Sequence, residues 1–84
     1  MMDSTKLAHE IAKALSKILD EEIDPTNLGA KLVDAYAADS MDVVDIVDRM
    51  ERTYKIEIPN SDIASLVSFG DVVAYVAERL RQDQ

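Results

Sequence analysis

Apolar side chains in this sequence recur with the period of an α-helix, and that recurrence leaves few folds open. Leu7, Ile11, Leu15 and Ile18 stand four, four and three residues apart, which is one face of a helix running from about Thr5 to Asp20. Lys6, His9, Glu10, Lys13 and Lys17 fall largely elsewhere. Val43, Ile46, Val47, Met50 and Tyr54 repeat the pattern at steps of three, one, three and four, predicting a second helix from Asp39 or Ser40 to about Tyr54. Phe69, Val72, Val73, Val76 and Leu80 form a third stripe, with Tyr75 at its margin. Alternation with a period of two is confined to Ile56-Glu57-Ile58-Pro59. A lone strand would leave its backbone groups unpaired, so this segment is read as an extended loop. The expected fold class is all-α: a small bundle of three main helices plus one short helix.

Punctuation between the stripes completes this outline. Asp3, Ser4 or Thr5 is suited to cap the first helix. Asp24-Pro25-Thr26-Asn27 stops it, because proline disfavours helix for the residue before it. The connection onward to about Asp39 contains Leu28, Leu32, Val33 and Tyr36. It is therefore expected to be a long structured loop with a helical turn, packed across one end of the bundle. Asn60 or Ser61 is expected to cap a short helix containing Ile63 and Leu66. Ser68 and Asp71 have the spacing of a capping box, flanked by Val67 and Val72 as a hydrophobic staple. The tail from Arg81 to Gln84 is expected to fray. On the second helix, Asp45–Arg49 and Asp48–Arg52 are acid-first pairs four apart, each expected to add about 0.3–0.5 kcal/mol. Met41 and Val44 lie off the buried face, exposed beside Ser40.

A chain of 84 residues is expected to form a single domain over residues 1–84, burying roughly 60–65% of its unfolded surface. That leaves little room for an enclosed catalytic cleft and weighs against an enzyme. Seventeen acidic residues face nine basic ones, a net charge of −8. Nucleic acid and anionic membrane are poor partners for such a surface, since phosphate neutralisation needs Lys and Arg. Basic patches on other proteins suit it better. There is no cysteine, which excludes disulfides and thiolate metal sites. Met1-Met2-Asp3-Ser4 has neither a basic region nor an apolar run, unlike a signal peptide. No stretch approaches the ~20 apolar residues of a spanning helix. A soluble, cytoplasmic monomer is expected.

Few residues offer chemistry. His9, the only histidine, lies on a polar helix face and reads as a surface residue rather than a triad member. Gly29 and Gly70 are the only glycines, so there is no phosphate-cradling loop. An EF-hand beginning at Asp24 would need oxygen ligands where Leu28 and Ala35 stand. Asp39, Asp42, Asp45 and Asp48 recur every third residue and read as a solvated, partner-facing row. There remains Ala38-Asp39-Ser40-Met41-Asp42 at the start of the second helix. Asp39 or Ser40 is a natural N-cap there. A phosphate ester on Ser40 would also sit among the free N–H groups and positive dipole end of a helix N-terminus.

Together with the downstream half of the chain, this segment resembles the acyl carrier protein family. The family opens its second helix with a Gly-x-Asp-Ser-Leu run. Here the run reads Ala37-Ala38-Asp39-Ser40-Met41, followed by Asp42 and Val43-Val44-Asp45-Ile46-Val47. Ile56-Glu57-Ile58-Pro59 is similar to the segment after that helix in the family, and Phe69-Gly70-Asp71-Val72-Val73-Ala74-Tyr75-Val76 to its last helix. The resemblance spans roughly residues 4–81. It implies that Ser40 Oγ carries 4′-phosphopantetheine, delivered from CoA by a phosphopantetheinyl transferase using Mg²⁺, with Asp39 helping to present the serine. It implies partner contacts at Met41, Asp42, Val44, Asp45, Asp48 and Glu51, read by acyl-transfer, condensing and tailoring enzymes with basic docking patches. An acyl group would ride on the arm as a thioester, in fatty acid, lipid or polyketide biosynthesis. Val43, Val47, Ile58, Ile63, Leu66 and Val72 would line a shelter for it. The chain departs from the family at Ala37 and Met41, and Arg49 and Arg52 interrupt the acidic helix face. Those departures point to a specialised pathway. The competing expectation is an acidic helical interaction module in which Ser40 is simply a helix cap.

Overall fold

A computed structural model describes residues 4–82 and contains five helices in the order α1 (Ser4–Leu19), α2 (Leu32–Tyr36), α3 (Ser40–Tyr54), α4 (Asn60–Ile63) and α5 (Phe69–Gln82). The three long helices are those the apolar stripes predict. The helical turn expected within the long connection is a defined helix, α2, so the bundle has two short helices rather than one. α1 packs against both α5 and α3. Leu7, Ile11, Leu15, Ile46, Met50, Phe69, Val72 and Val76 lie in one contiguous core, each burial contributing about 1.5–3 kcal/mol. Among the described residues no polar side chain is buried. None of the helices is long and apolar enough to cross a membrane.

Each terminus has a local cause. Asp20 adopts φ 53° directly after α1, a left-handed stop. Ser16 Oγ donates to the Ala12 carbonyl (2.8 Å) and accepts the Ile23 N–H (3.2 Å), folding the chain back so that Ile23 is buried. Asp24 Oδ1 accepts both the Thr26 hydroxyl (2.7 Å) and the Thr26 N–H (2.9 Å). These two bonds, the hydroxyl first, hold the Asp24 carboxyl below the usual carboxylate range. The candidate cap Asp3 lies outside the described residues.

Two connections are stitched together. The Gly70 N–H donates to the Leu28 carbonyl (2.8 Å), the Phe69 N–H to Ala30 (2.9 Å) and the Leu32 N–H to Val67 (2.9 Å). A Cβ on Gly70 would sit 2.6 Å from the Leu28 carbonyl oxygen, so the close approach requires glycine. This seam places α2 beside the segment between α4 and α5.

Beyond α3, Lys55 turns left-handed at φ 54° and residues 56–59 run extended without a strand partner, as the sequence predicts. Glu51 takes two of their N–H groups: its carbonyl accepts that of Ile56 (3.2 Å) and its carboxylate that of Ile58 (2.9 Å). The short helix differs from expectation. Pro59 occupies its N-cap without a side-chain bond, so neither Asn60 nor Ser61 caps it. Leu66 lies past its end, because the Ser65 and Leu66 N–H groups donate to Asp62 and Ile63 in tight turns. At α5 the capping box is present: Ser68 Oγ accepts the Asp71 N–H (3.0 Å), and Asp71 Oδ2 accepts those of Ser68 (2.9 Å) and Val67 (3.1 Å). Val67, predicted as a staple with Val72, is half exposed, whereas Val72 is buried. The helix continues through Arg81 and Gln82, where the sequence predicts fraying; residues 83 and 84 lie outside the described range.

Candidate functional site

The site is assembled at the N-terminus of α3. Ala37 closes α2 with φ 54° and ψ 34°, and buried Ala38 brings the chain to the next helix. Asp39 is the N-cap of α3. Its Oδ1 accepts the Asp42 N–H (2.9 Å), while Asp42 Oδ2 accepts the Asp39 N–H (3.0 Å), a capping box built from two aspartates. Ser40 is therefore the first helical residue and not the cap. Its side chain is exposed and takes no part in the capping bonds. The Val43 N–H donates to the Asp39 carbonyl (3.1 Å). The N–H groups of Ser40 and Met41 meet no protein acceptor among the described residues, leaving two donors at the positive end of the α3 dipole.

Ser40 borders an open apolar groove of about 510 Å³ between α2, α3 and the segment around α4. Leu32, Val43, Val44, Ile63, Leu66 and Val67 line it, with Lys31 and Asp34 at its rim. Three of the predicted shelter residues, Val43, Ile63 and Leu66, are on this wall. Val47, Ile58 and Val72 are not; all three are buried in the core. The sequence pattern does not mark Leu32, Val33 and Val67 as lining residues. The available signal is the spacing of Leu32, Val33 and Tyr36, which indicates a helical turn but not which neighbour it faces.

The residues expected to contact partners lie along the outer surface of α3 with differing exposure. Met41 (68% exposed) and Val44 (55%) are open apolar side chains beside Ser40. Asp45 and Asp48 are exposed and Asp42 is partly covered. Asp48 Oδ2 accepts from Arg52 Nη2 at 2.6 Å. The predicted Asp45–Arg49 ion pair is not formed, although Asp48–Arg52 has the same spacing. Glu51 is half-buried, with its carboxylate committed to the Ile58 N–H. His9 is exposed, its Nδ1 2.9 Å from the Thr5 carbonyl. Among the described residues no cluster of potential metal ligands occurs.

A five-helix bundle with an exposed serine one residue beyond an aspartate cap, beside an apolar groove, is the architecture of a prosthetic-arm carrier. Residues 4–76 match the phosphopantetheine attachment site family. The chain is 34% identical to the acyl carrier protein of Campylobacter lari over 67 residues, covering 80% of this chain and 87% of that protein. It is 34% identical to that of Campylobacter hominis over 67 residues, 80% and 85% of the two chains. With that of Campylobacter concisus it shares 41% over 56 residues, 64% and 73%. The chain belongs to the acyl carrier protein family. The prosthetic group of the family is phosphopantetheine, and its members are carriers, armed by a phosphopantetheinyl transferase and served by acyl-transfer enzymes. The residues present fit that group: the unpaired N–H donors of Ser40 and Met41 suit a phosphodiester, and the apolar groove suits an alkyl chain.

Proposed function

We propose that the phosphopantetheine arm is attached at Ser40 Oγ, and that the chain is a discrete carrier presenting thioester-bound acyl groups to enzymes of fatty acid, lipid or polyketide biosynthesis while catalysing no step itself. The observation that carries this reading is the exposed Ser40 hydroxyl at the first position of α3, next to its cap and at the mouth of the groove. The arm supplies the thiol that a cysteine-free chain lacks. Asp39 and Asp42 fix the turn that presents Ser40 to the transferase, and the free N–H groups of Ser40 and Met41 face the phosphodiester. Met41 and Val44 are the apolar contacts for partner enzymes; Asp42 and Asp45 are the charges their basic patches meet, whereas Asp48 is paired with Arg52. Glu51 contributes charge but is held to the loop. Val43, Ile63 and Leu66, with Leu32, Val44 and Val67, shelter the acyl chain. Ala37, Met41, Arg49 and Arg52 depart from the family pattern and support service in a specialised pathway, in a cytoplasm that supplies CoA.

The competing reading is an acidic helical interaction module in which Ser40 is only a cap; against it stands Asp39, which caps α3. The decisive test is to incubate the purified chain with CoA, Mg²⁺ and a broad-range phosphopantetheinyl transferase and to weigh the intact protein. One arm on the wild type and none on Ser40→Ala is the expected result. A folded wild type that accepts no arm would sink the proposal.

A further inference from the structure

The charges of α3 are not equally available to a partner. Asp39 and Asp42 keep their carboxylates at the start of the helix, and Asp45 is exposed with no ion pair among the described residues. Beyond Asp45 the pattern reverses. Asp48 is clamped by Arg52 at 2.6 Å on the open surface, so a partner approaching there meets a guanidinium rather than a free carboxylate. Glu51 is turned into the Ile58 N–H. Arg49 has no ion pair among the described residues, and one helical turn separates it from Asp45. The acids without an ion pair thus occupy the first two turns. Beyond them stand Arg49, unpaired among the described residues, and Arg52, which is held to Asp48, with Arg49 about 6 Å along the axis from Asp45 at about 1.5 Å per residue.

We propose that Arg49 and Arg52 act as a charge filter on the docking face. They select partner enzymes whose basic cluster ends opposite Asp45 and which set an acidic side chain opposite the two arginines. This rests on the carrier reading above. A basic patch that continues along the whole of α3 is opposed by like charge, and such juxtaposition discriminates between partners of otherwise similar shape. Charges at the edge of an interface act chiefly on encounter and on its salt dependence. The filter therefore works on KM and leaves kcat unchanged.

The test uses the armed, acylated chain and, as the probe, a purified fatty-acid ketosynthase whose docking patch contains only lysine and arginine. Mass measurement first establishes that the wild type, Arg52→Ala and the double variant Arg49→Ala/Arg52→Ala carry the arm; circular dichroism establishes that they are helical. With this enzyme, Arg52→Ala is expected to lower KM about threefold and the double variant about tenfold, with kcat unchanged and both gains lost at high salt. Conversely, among single Lys→Glu changes across the enzyme's patch, at least one is expected to lower KM for the wild-type carrier and raise it for the double variant. Equal or higher KM after removing the arginines, with no Lys→Glu change favouring the wild type, overturns the filter and leaves the carrier reading standing. A wild type that accepts no arm overturns both.

Discussion

The Tyr75 hydroxyl donates to Asp62 Oδ2 at 2.7 Å, tying the middle of α5 to the short helix that walls the groove. Arg79 braces the pair: Nη2 donates to the Tyr75 hydroxyl at 2.9 Å, lies 3.5 Å from Asp62, and its guanidinium carbon sits 5.3 Å from the Tyr75 ring centroid. Four residues of α4 without a side-chain cap would have little helical stability alone, so this contact helps to fix where Ile63 stands. Tyr75→Phe is expected to destabilise the fold by about 1 kcal/mol, lowering Tm by roughly 4–8 °C. Hydrogen exchange is expected to rise first at residues 62–66. Thermal melting with residue-resolved exchange measures both.

Ala37 holds a left-handed conformation, φ 54°, that suits glycine. Ala37→Gly removes the Cβ clash, worth about 1–2 kcal/mol, against a smaller entropic gain by the unfolded chain. The expected net effect is stabilisation by about 0.5–1 kcal/mol, read from the midpoint of a urea titration.

Backbone N–H donation from Ser68, and then from Val67, holds the Asp71 carboxyl below the usual carboxylate range, partly opposed by burial. A carboxyl whose pKa is lower in the folded state stabilises it above the unfolded value, about 3.9, and loses that contribution as pH falls through the folded value. Asp71→Asn should therefore be less stable than the wild type at neutral pH, by about 0.5–1 kcal/mol. The difference is expected to shrink below about pH 4. Asp71 is exposed, so added salt should also reduce it. Urea midpoints measured across the pH range decide this; a constant difference would count against it.

Asp39→Ala removes one arm of the α3 capping box and is expected to cost about 1 kcal/mol. Ser40 would then sit in a fraying first turn. Its arming by a phosphopantetheinyl transferase should slow about fivefold, the population equivalent of that energy, while the final extent of arming stays complete. Intact-mass time courses distinguish the rate from the extent.

Much of this molecule is legible in its sequence because the relevant physics is local. The 3.6-residue period set the three long helices, and Ser68 with Asp71 announced the start of α5 through a bond pattern between residues only three apart. The segment Asp39-Ser40-Met41 marked the candidate site for the same reason. Other features depend on residues far apart in the chain. Leu28 and Gly70 meet through a backbone hydrogen bond that no spacing predicts, and that seam carries α2 to the groove. Glu51 reads as one more surface acid until the returning loop brings the Ile58 N–H to it. Val47 and Val72 have the same apolar character as Val43 and Leu66; which of them faces the core and which the groove is settled by the neighbours that the helices acquire on packing. By itself, then, the sequence determined the three long helices, the capping box of α5 and the serine at the start of α3, since each depends on interactions within a few residues. Tertiary structure alone decided the groove beside Ser40 and the commitment of Glu51 to the returning loop, because both arise from segments that the fold brings together.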